Sequence, residues 1–172
     1  MNRIAIIGNG GGGKTTLAKE IAARLSIPLI HVDSIQYLAD FNVRDENETR
    51  NILNQEADKD KWLIDGFGPQ DVMENRFNLA DKIIFVDFPL WRHYWCVTKR
   101  QIKASWKTRD ELPVGCSERG LSHTIRIYKI LMKVHKNIRP NLIDFFKKKD
   151  ISQKVLLIKT MNDWDQAYKN FK

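Results

Sequence analysis

No run of apolar residues in this 172-residue chain approaches the roughly 20 needed to span a bilayer. The opening residues also lack the charged region and apolar stretch of a signal peptide, so the expectation is a cytoplasmic protein with no membrane partner. Cysteine is nearly missing. Cys96 and Cys116 stand 20 residues apart, without a Cys-x-x-Cys spacing or a matching histidine pair, which excludes a recognisable structural zinc site and favours reduced thiols over a disulfide. Neither an internal repeat nor a low-complexity segment is present. Proline and glycine are few, five and nine. With 42% hydrophobic residues, the composition is that of one globular domain, residues 1–172, long enough to bury a sizeable core.

The scarcity of glycine makes its placement informative. Five of the nine fall within six positions, in GNGGGGKTT at residues 8–16, directly after the apolar run IAII. Glycine reaches backbone conformations and close approaches that a Cβ forbids, at an entropic cost that a plain turn would not need five times over. The spacing Gly8-x4-Gly13-Lys14-Thr15 is that of the phosphate-binding loop. In that loop backbone N–H groups encircle phosphates, the lysine reaches the terminal phosphates and the hydroxyl takes Mg²⁺. Gly8, Gly10, Gly11, Gly12, Gly13, Lys14, Thr15 and Thr16 are therefore the candidate ATP-binding residues. A flexible glycine linker beside a chance lysine is the competing reading, and the context weighs against it. A β-rich run precedes the loop, and Leu17, Ile21 and Leu25 recur every four residues after it, with Lys19, Glu20 and Arg24 facing elsewhere. A helix N-terminus in line with the loop adds free N–H groups and partial positive charge.

Strand-like and helix-like segments alternate through the rest of the chain, which predicts a parallel sheet flanked by helices. Apolar runs end in Asp33, Asp65 and Asp87. In an open parallel sheet ligands sit outside the carboxyl ends of the strands, so these acids tend toward the rim that holds the glycine loop. Asp65, followed by a glycine that leaves room, is the candidate for orienting Mg²⁺ or its water; an Asp-Gly turn is the plain alternative. Asp33 either holds the metal, accepts a proton from an acceptor hydroxyl, or caps the helix that follows. Asp87, ahead of Phe88-Pro89, reads as a cap or turn and is left out of the site. A polar helix is expected over 45–59 and a fifth strand over 154–158.

Charge is divided unevenly. Residues 1–88 hold 10 Lys/Arg against 14 Asp/Glu (net −4), and residues 89–172 hold 19 against 7 (net +12). The basic half attracts polyanions, nucleotides and nucleic acids alike. Over 89–107 the pattern predicts a helix with Trp91, Trp95, Ile102 and Trp106 docking on the core and Arg92, Lys99, Lys103 and Lys107 on another side. TRDELPVGCSER, residues 108–119, carries turn formers and little apolar periodicity, as a surface excursion between two helices would. Ile127, Leu131, Val134, Ile138, Leu142 and Phe145 then step by three and four, with Arg126, Lys129, Lys133 and Lys136 as a solvated basic stripe. Pro140 is expected to kink or interrupt that helix. Arg100, Arg109, Arg119 and Arg139 are set apart, because a planar guanidinium suits phosphate and an excursion carrying arginine can close over a transferring phosphoryl group.

Taken together, IAIIGNGGGGKTTLA, IPLIHVDSI, WLIDG, RFNLADKIIFVDFP, and KTRDELPVGCSER followed by IRPNL resemble the adenylate kinase-like P-loop proteins, most closely the bacterial topology modulation protein family, over residues 4–146. The resemblance implies an α/β three-layer sandwich of the P-loop nucleoside-kinase type. It also implies a five-stranded parallel sheet of order 2-3-1-4-5, an acceptor-side segment over about 33–60, and a short helical lid with arginines over about 104–120. Departures fall on the acceptor side. Where nucleoside monophosphate kinases show D-G-F-P-R, this chain has Asp65-Gly66-Phe67-Gly68-Pro69-Gln70; Arg76 is the nearest arginine, and Leu90 stands where the closer family carries arginine.

The candidate roles are then these. Lys14, Asp33, Asp65 and Arg109 are catalytic, and Arg100 joins the glycine loop on the nucleotide. Asp33, Arg76, Arg119 and Arg139 face a small-molecule acceptor, while Thr15 and Asp65 hold Mg²⁺. Two functions fit: an ATP-dependent phosphotransferase acting on a nucleotide or other small acceptor, and a nucleotide-gated DNA-binding regulator that uses the basic half as its surface.

Overall fold

The computed structural model describes residues 1–104 and 121–171. Trp106, Arg109, Cys116 and Arg119, and with them nearly all of the expected lid over 104–120, lie outside the described residues. The chain runs through β1 (Arg3–Gly8), α1 (Lys14–Leu25), β2 (Leu29–His31), α2 (Val32–Gln36), α3 (Glu46–Asp58), β3 (Trp62–Asp65) and α4 (Gln70–Leu79). It continues through β4 (Lys82–Val86), α5 (Leu90–Ala104), α6 (Leu121–Lys133), α7 (Arg139–Lys148), β5 (Val155–Ile158) and α8 (Met161–Asn170). The strands form a parallel sheet in the order β2-β3-β1-β4-β5, the order implied by the family resemblance. β1 is therefore central, and the ends of β3 and β4 flank the loop that leaves it.

A parallel sheet covered on both faces needs apolar side chains pointing both ways, which is why these strands read as unbroken apolar runs. Ala5, Ile7, Ile64, Ile83 and Phe85 pack with Leu53 of α3, Phe77 of α4 and Phe146 of α7. Ile4, Ile6, Leu63, Ile84 and Val86 pack on the other side with Leu17 and Ile21 of α1 and Ala167 of α8. These are the three layers. The helix expected over 45–59 is α3, started by Asp45, whose Oδ1 accepts from the Asn47 and Glu48 N–H groups at 3.0 Å each.

The second half corrects one expectation and gives a specific form to another. Trp91 and Trp95 are 66% and 56% exposed, whereas His93 and Val97 of the same helix are buried. The inner face of α5 lies against the glycine loop itself. A Cβ at Gly11 would meet Val97 Cγ2 at 2.9 Å and the His93 carbonyl at 3.0 Å, a gap that admits no indole. The tryptophans are turned outward, and Lys99 Nζ sits 4.7 Å over the Trp95 ring. Pro140 occupies the first turn of α7, directly after a single π-helical turn, Val134–Ile138. That wider turn releases the hydrogen bond a proline cannot make, so the helix is interrupted without being broken.

Candidate active site

The β1 strand ends in Gly8, whose φ of +144° and hypothetical Cβ, 2.2 Å from the Val86 carbonyl oxygen, leave no room for another residue. From there residues 9–13 curl over the sheet rim and deliver the chain into α1. Gly13, the residue that caps α1, is left-handed at φ 75° and offers no side-chain cap, so the first N–H groups of the helix face the loop opening. Lys14 folds back, its Nζ donating to the Asn9 carbonyl at 2.8 Å.

A cleft of about 670 Å³ opens above this loop. Gly8, Gly10, Gly11, Gly12, Gly13, Lys14, Thr15, Thr16, Asp33, Asp65 and Arg100 all line it, so the fold gathers most of the residues singled out from the sequence. Arg76 and Arg139 do not line it. Arg76 is only 1% exposed and donates Nη2 backward to the carbonyls of Gly66, at 2.7 Å, and Phe67, at 3.1 Å. Burial pulls its guanidinium down to about 10, partly offset by the charge of Asp65. Arg139 instead grips Asp87, Nε to Oδ1 at 2.6 Å and Nη2 to Oδ2 at 2.9 Å. That bidentate pair is the role of Asp87, rather than the cap or turn its position before Phe88-Pro89 suggested.

Asp65 is the best-prepared acid. It is 6% exposed, and its Oδ2 accepts from Thr15 Oγ1 at 3.0 Å and lies 3.4 Å from His31 Nδ1. Burial works against its ionisation, but the His31 hydrogen bond, the charge of Lys14 and the Thr15 hydroxyl together hold the carboxyl below its ordinary range. Its other oxygen, Oδ1, is buried without a hydrogen-bond partner. An anionic oxygen so placed, beside a threonine hydroxyl at the loop mouth, is what a divalent cation would satisfy. Among the described residues no group of three or more His, Cys, Asp or Glu side chains could hold a metal alone. A Mg²⁺ ion held by Asp65 would complete its shell with water and phosphate oxygens, as Mg²⁺ bound through one or two carboxylates usually does.

Asp33, which lines the same cleft, lies in the first turn of α2 rather than at its cap. Tyr37, Phe41, Phe67 and Arg126 line the cleft as well. Burial raises the Tyr37 phenol, the Asp33 charge raises it further, and Arg126 opposes both, so a carboxylate and a guanidinium bear on one phenolic hydroxyl. The sequence reading missed His31, Tyr37 and Arg126. His31 was available from topology, since a parallel β2–β3 pair sets it opposite Asp65. Arg126 was hidden in a stripe that reads as solvated surface.

The comparisons with known proteins bear on the fold. A model of the ATPase family associated with various cellular activities (AAA) matches residues 4–87, from the first strand to the end of the fourth. Shikimate kinase from Acinetobacter baumannii, solved with shikimate, superposes with a TM-score of 0.59 at 12% identity, over 98% of this chain and 90% of that one. Shikimate kinase from Bacteroides thetaiotaomicron superposes with a TM-score of 0.54 at 18% identity, over 98% and 95%. At such identities the likeness establishes the fold, a P-loop kinase-like one. No curated protein matches the chain, and these likenesses do not extend to the finer resemblance to topology modulation proteins.

Proposed function

We propose that this chain is an ATP-dependent phosphotransferase acting on a small hydroxylated acceptor. The observation that carries the reading is the meeting of Thr15 and Asp65, 3.0 Å apart at the mouth of the glycine loop, with the second Asp65 oxygen buried and unpartnered. The loop N–H groups and the N-terminus of α1 would bind the phosphates of ATP. Lys14 would exchange the Asn9 carbonyl for a phosphate oxygen, and Arg100, on the wall of the cleft, would add charge on the nucleotide side. Thr15 and Asp65 would hold Mg²⁺, which supplies charge neutralisation at the phosphate oxygens.

Asp33 would take the proton of the acceptor hydroxyl at its carboxylate, the part a positioned acid plays in phosphoryl transfer. Tyr37, Phe41 and Phe67 would wall the acceptor and Arg126 would contact its polar end. One of the two shikimate kinases described above holds shikimate, and a polyhydroxylated ring of that size suits the aromatic side of this cleft. Arg109 and Arg119 would close over the transfer from the segment between α5 and α6, a lid role that the family resemblance suggests. Arg76 and Arg139 would touch an acceptor only after leaving the Gly66 and Phe67 carbonyls and Asp87. The DNA-regulator reading shares the glycine loop, as a switch, and adds the charge of the second half as its surface, and no described residue of the site favours it.

The test is thermal unfolding with and without Mg·ATP, followed by ADP release with a panel of small alcohols, nucleosides and nucleotides. Ligand at 100 times its dissociation constant adds roughly 2.7 kcal/mol, or a rise of about 5–11 °C for a domain of this length. No shift with either Mg·ATP or Mg·ADP would remove the proposal's foundation.

A further inference from the structure

The phosphate-binding motif itself is a strand, a loop and a helix. Here the crown of the loop, Asn9-Gly10-Gly11, is also held from outside that unit, and by the two helices that flank residues 105–120. From α5, the buried His93 reaches the Gly10 carbonyl with Nδ1 at 2.7 Å. A carbonyl can only accept, so Nδ1 carries the proton. Burial, against the pull of this hydrogen bond, leaves the imidazole below its ordinary range and hence neutral at pH 7. From α6, the Leu131 carbonyl accepts from Asn9 Nδ2 at 2.9 Å, while Asn9 Oδ1 turns back to accept from the Gly10 N–H at 2.9 Å. The packing is as close as the hydrogen bonding: a Cβ at Gly10 would lie 3.0 Å from Leu131 Cδ2.

These groups do nothing in the chemistry proposed above. None of them belongs to the G-x-x-x-x-G-K-[ST] pattern: Asn9 is one of its unspecified positions, and His93 lies 83 residues from its partner. Yet Asn9 is 6% and His93 2% exposed, a burial that polar side chains sustain only when hydrogen-bonded. One bond leaves Asn9 and the other arrives at Gly10, adjacent residues of the crown. We propose that Asn9 and His93 are positioning residues that hold the phosphate-binding shape of the loop through α6 and α5, so that nucleotide affinity depends on the seating of those helices. The inference rests on the nucleotide reading of the loop, and adds to it the two side chains that preorganise it.

The experiment uses the full chain and Mg²⁺ with the fluorescent nucleotide mant-ADP, read by titration, alongside thermal unfolding without nucleotide. Asn9→Ala and His93→Leu each remove one tie, and each should weaken mant-ADP binding about tenfold. His93→Asn should restore most of that affinity, because an asparagine amide offers a donor near the place of Nδ1 and leucine offers none. Tyr128→Phe is the control. Its ring packs on Tyr94 and its hydroxyl meets Thr98 in the same α5–α6 contact, away from the loop. It should lower thermal stability and leave affinity within twofold. Affinity within twofold of wild type in both Asn9→Ala and His93→Leu would overturn the inference, as would His93→Asn binding no better than His93→Leu. A wild type that binds no mant-ADP would overturn the nucleotide reading, and this inference with it. A binding wild type with unaffected variants would overturn only the inference.

Discussion

Replacing Asp65 with asparagine separates its structural part from the metal-holding part proposed for it, because the change keeps the shape and removes the charge. Asp65 is held below the ordinary carboxylate range, so it is ionised at neutral pH in both the folded and unfolded chain. A depressed folded pKa stabilises the fold above the unfolded value and loses that contribution as pH falls through the folded one. At pH 7.5 the variant therefore forfeits a charge-assisted acceptor for Thr15 and His31, where hydrogen bonds to a charged group are worth about 1.5–3 kcal/mol. Against this, the asparagine no longer buries an anion, and its amide oxygen still accepts from Thr15. The net loss should be about 1–2 kcal/mol, which lowers Tm by roughly 2–8 °C for a chain of this length. The metal effect should be larger. Groups that orient or ligate a bound metal typically cost 10- to 100-fold in affinity when lost, so the Mg²⁺ concentration for half-maximal ADP release should rise by about that factor at fixed ATP. The assay is a Mg²⁺ titration of ADP release, paired with thermal unfolding monitored by circular dichroism. A variant with lowered Tm and a half-saturation within twofold of wild type would show that Asp65 serves the fold and not the metal.

Lys14→Ala removes the part-buried bond from Nζ to the Asn9 carbonyl and the positive charge beside Asp65, so it should lower Tm somewhat, but its larger effect should be a fall in turnover of about ten- to a hundredfold through loss of a charge-assisted contact; steady-state ADP release decides, and unchanged turnover would refute the assignment. Arg139→Ala should act on stability instead. It leaves Asp87 buried without its bidentate partner, and because the arginine itself is about one-third exposed the loss should be roughly 1–3 kcal/mol, below the 3–5 of a fully buried pair. Urea unfolding measures it, and an unchanged midpoint would mean that the pair contributes nothing.

The parts of this protein that were legible in its sequence are those whose physical cause is local. Five glycines ahead of a lysine declare a close approach wherever they occur, and unbroken apolar runs declare strands covered on both faces. Parallel pairing then carries the acids at or just beyond the strand ends toward one rim, which is why Asp33 and Asp65 both line the cleft at the loop. The illegible parts are those decided by what a side chain meets across the fold. An arginine announces affinity for an anion, but not which one: Arg139 met Asp87, and Arg76 turned to two backbone carbonyls. A tryptophan announces a large apolar surface, but the seating of α5 is fixed by how closely Val97 and the His93 carbonyl approach Gly11, and that contact sends Trp91 and Trp95 outward. Asn9 and His93 are the extreme case. Their distant partners lie 122 and 83 residues away, and of the two only Asn9 also bonds locally, to the Gly10 N–H. A loop so rich in glycine is entropically costly to hold in one shape, and its own sequence contains few side chains that could do it. The restraint must come from neighbouring elements, and the residues that supply it are ones a motif does not record.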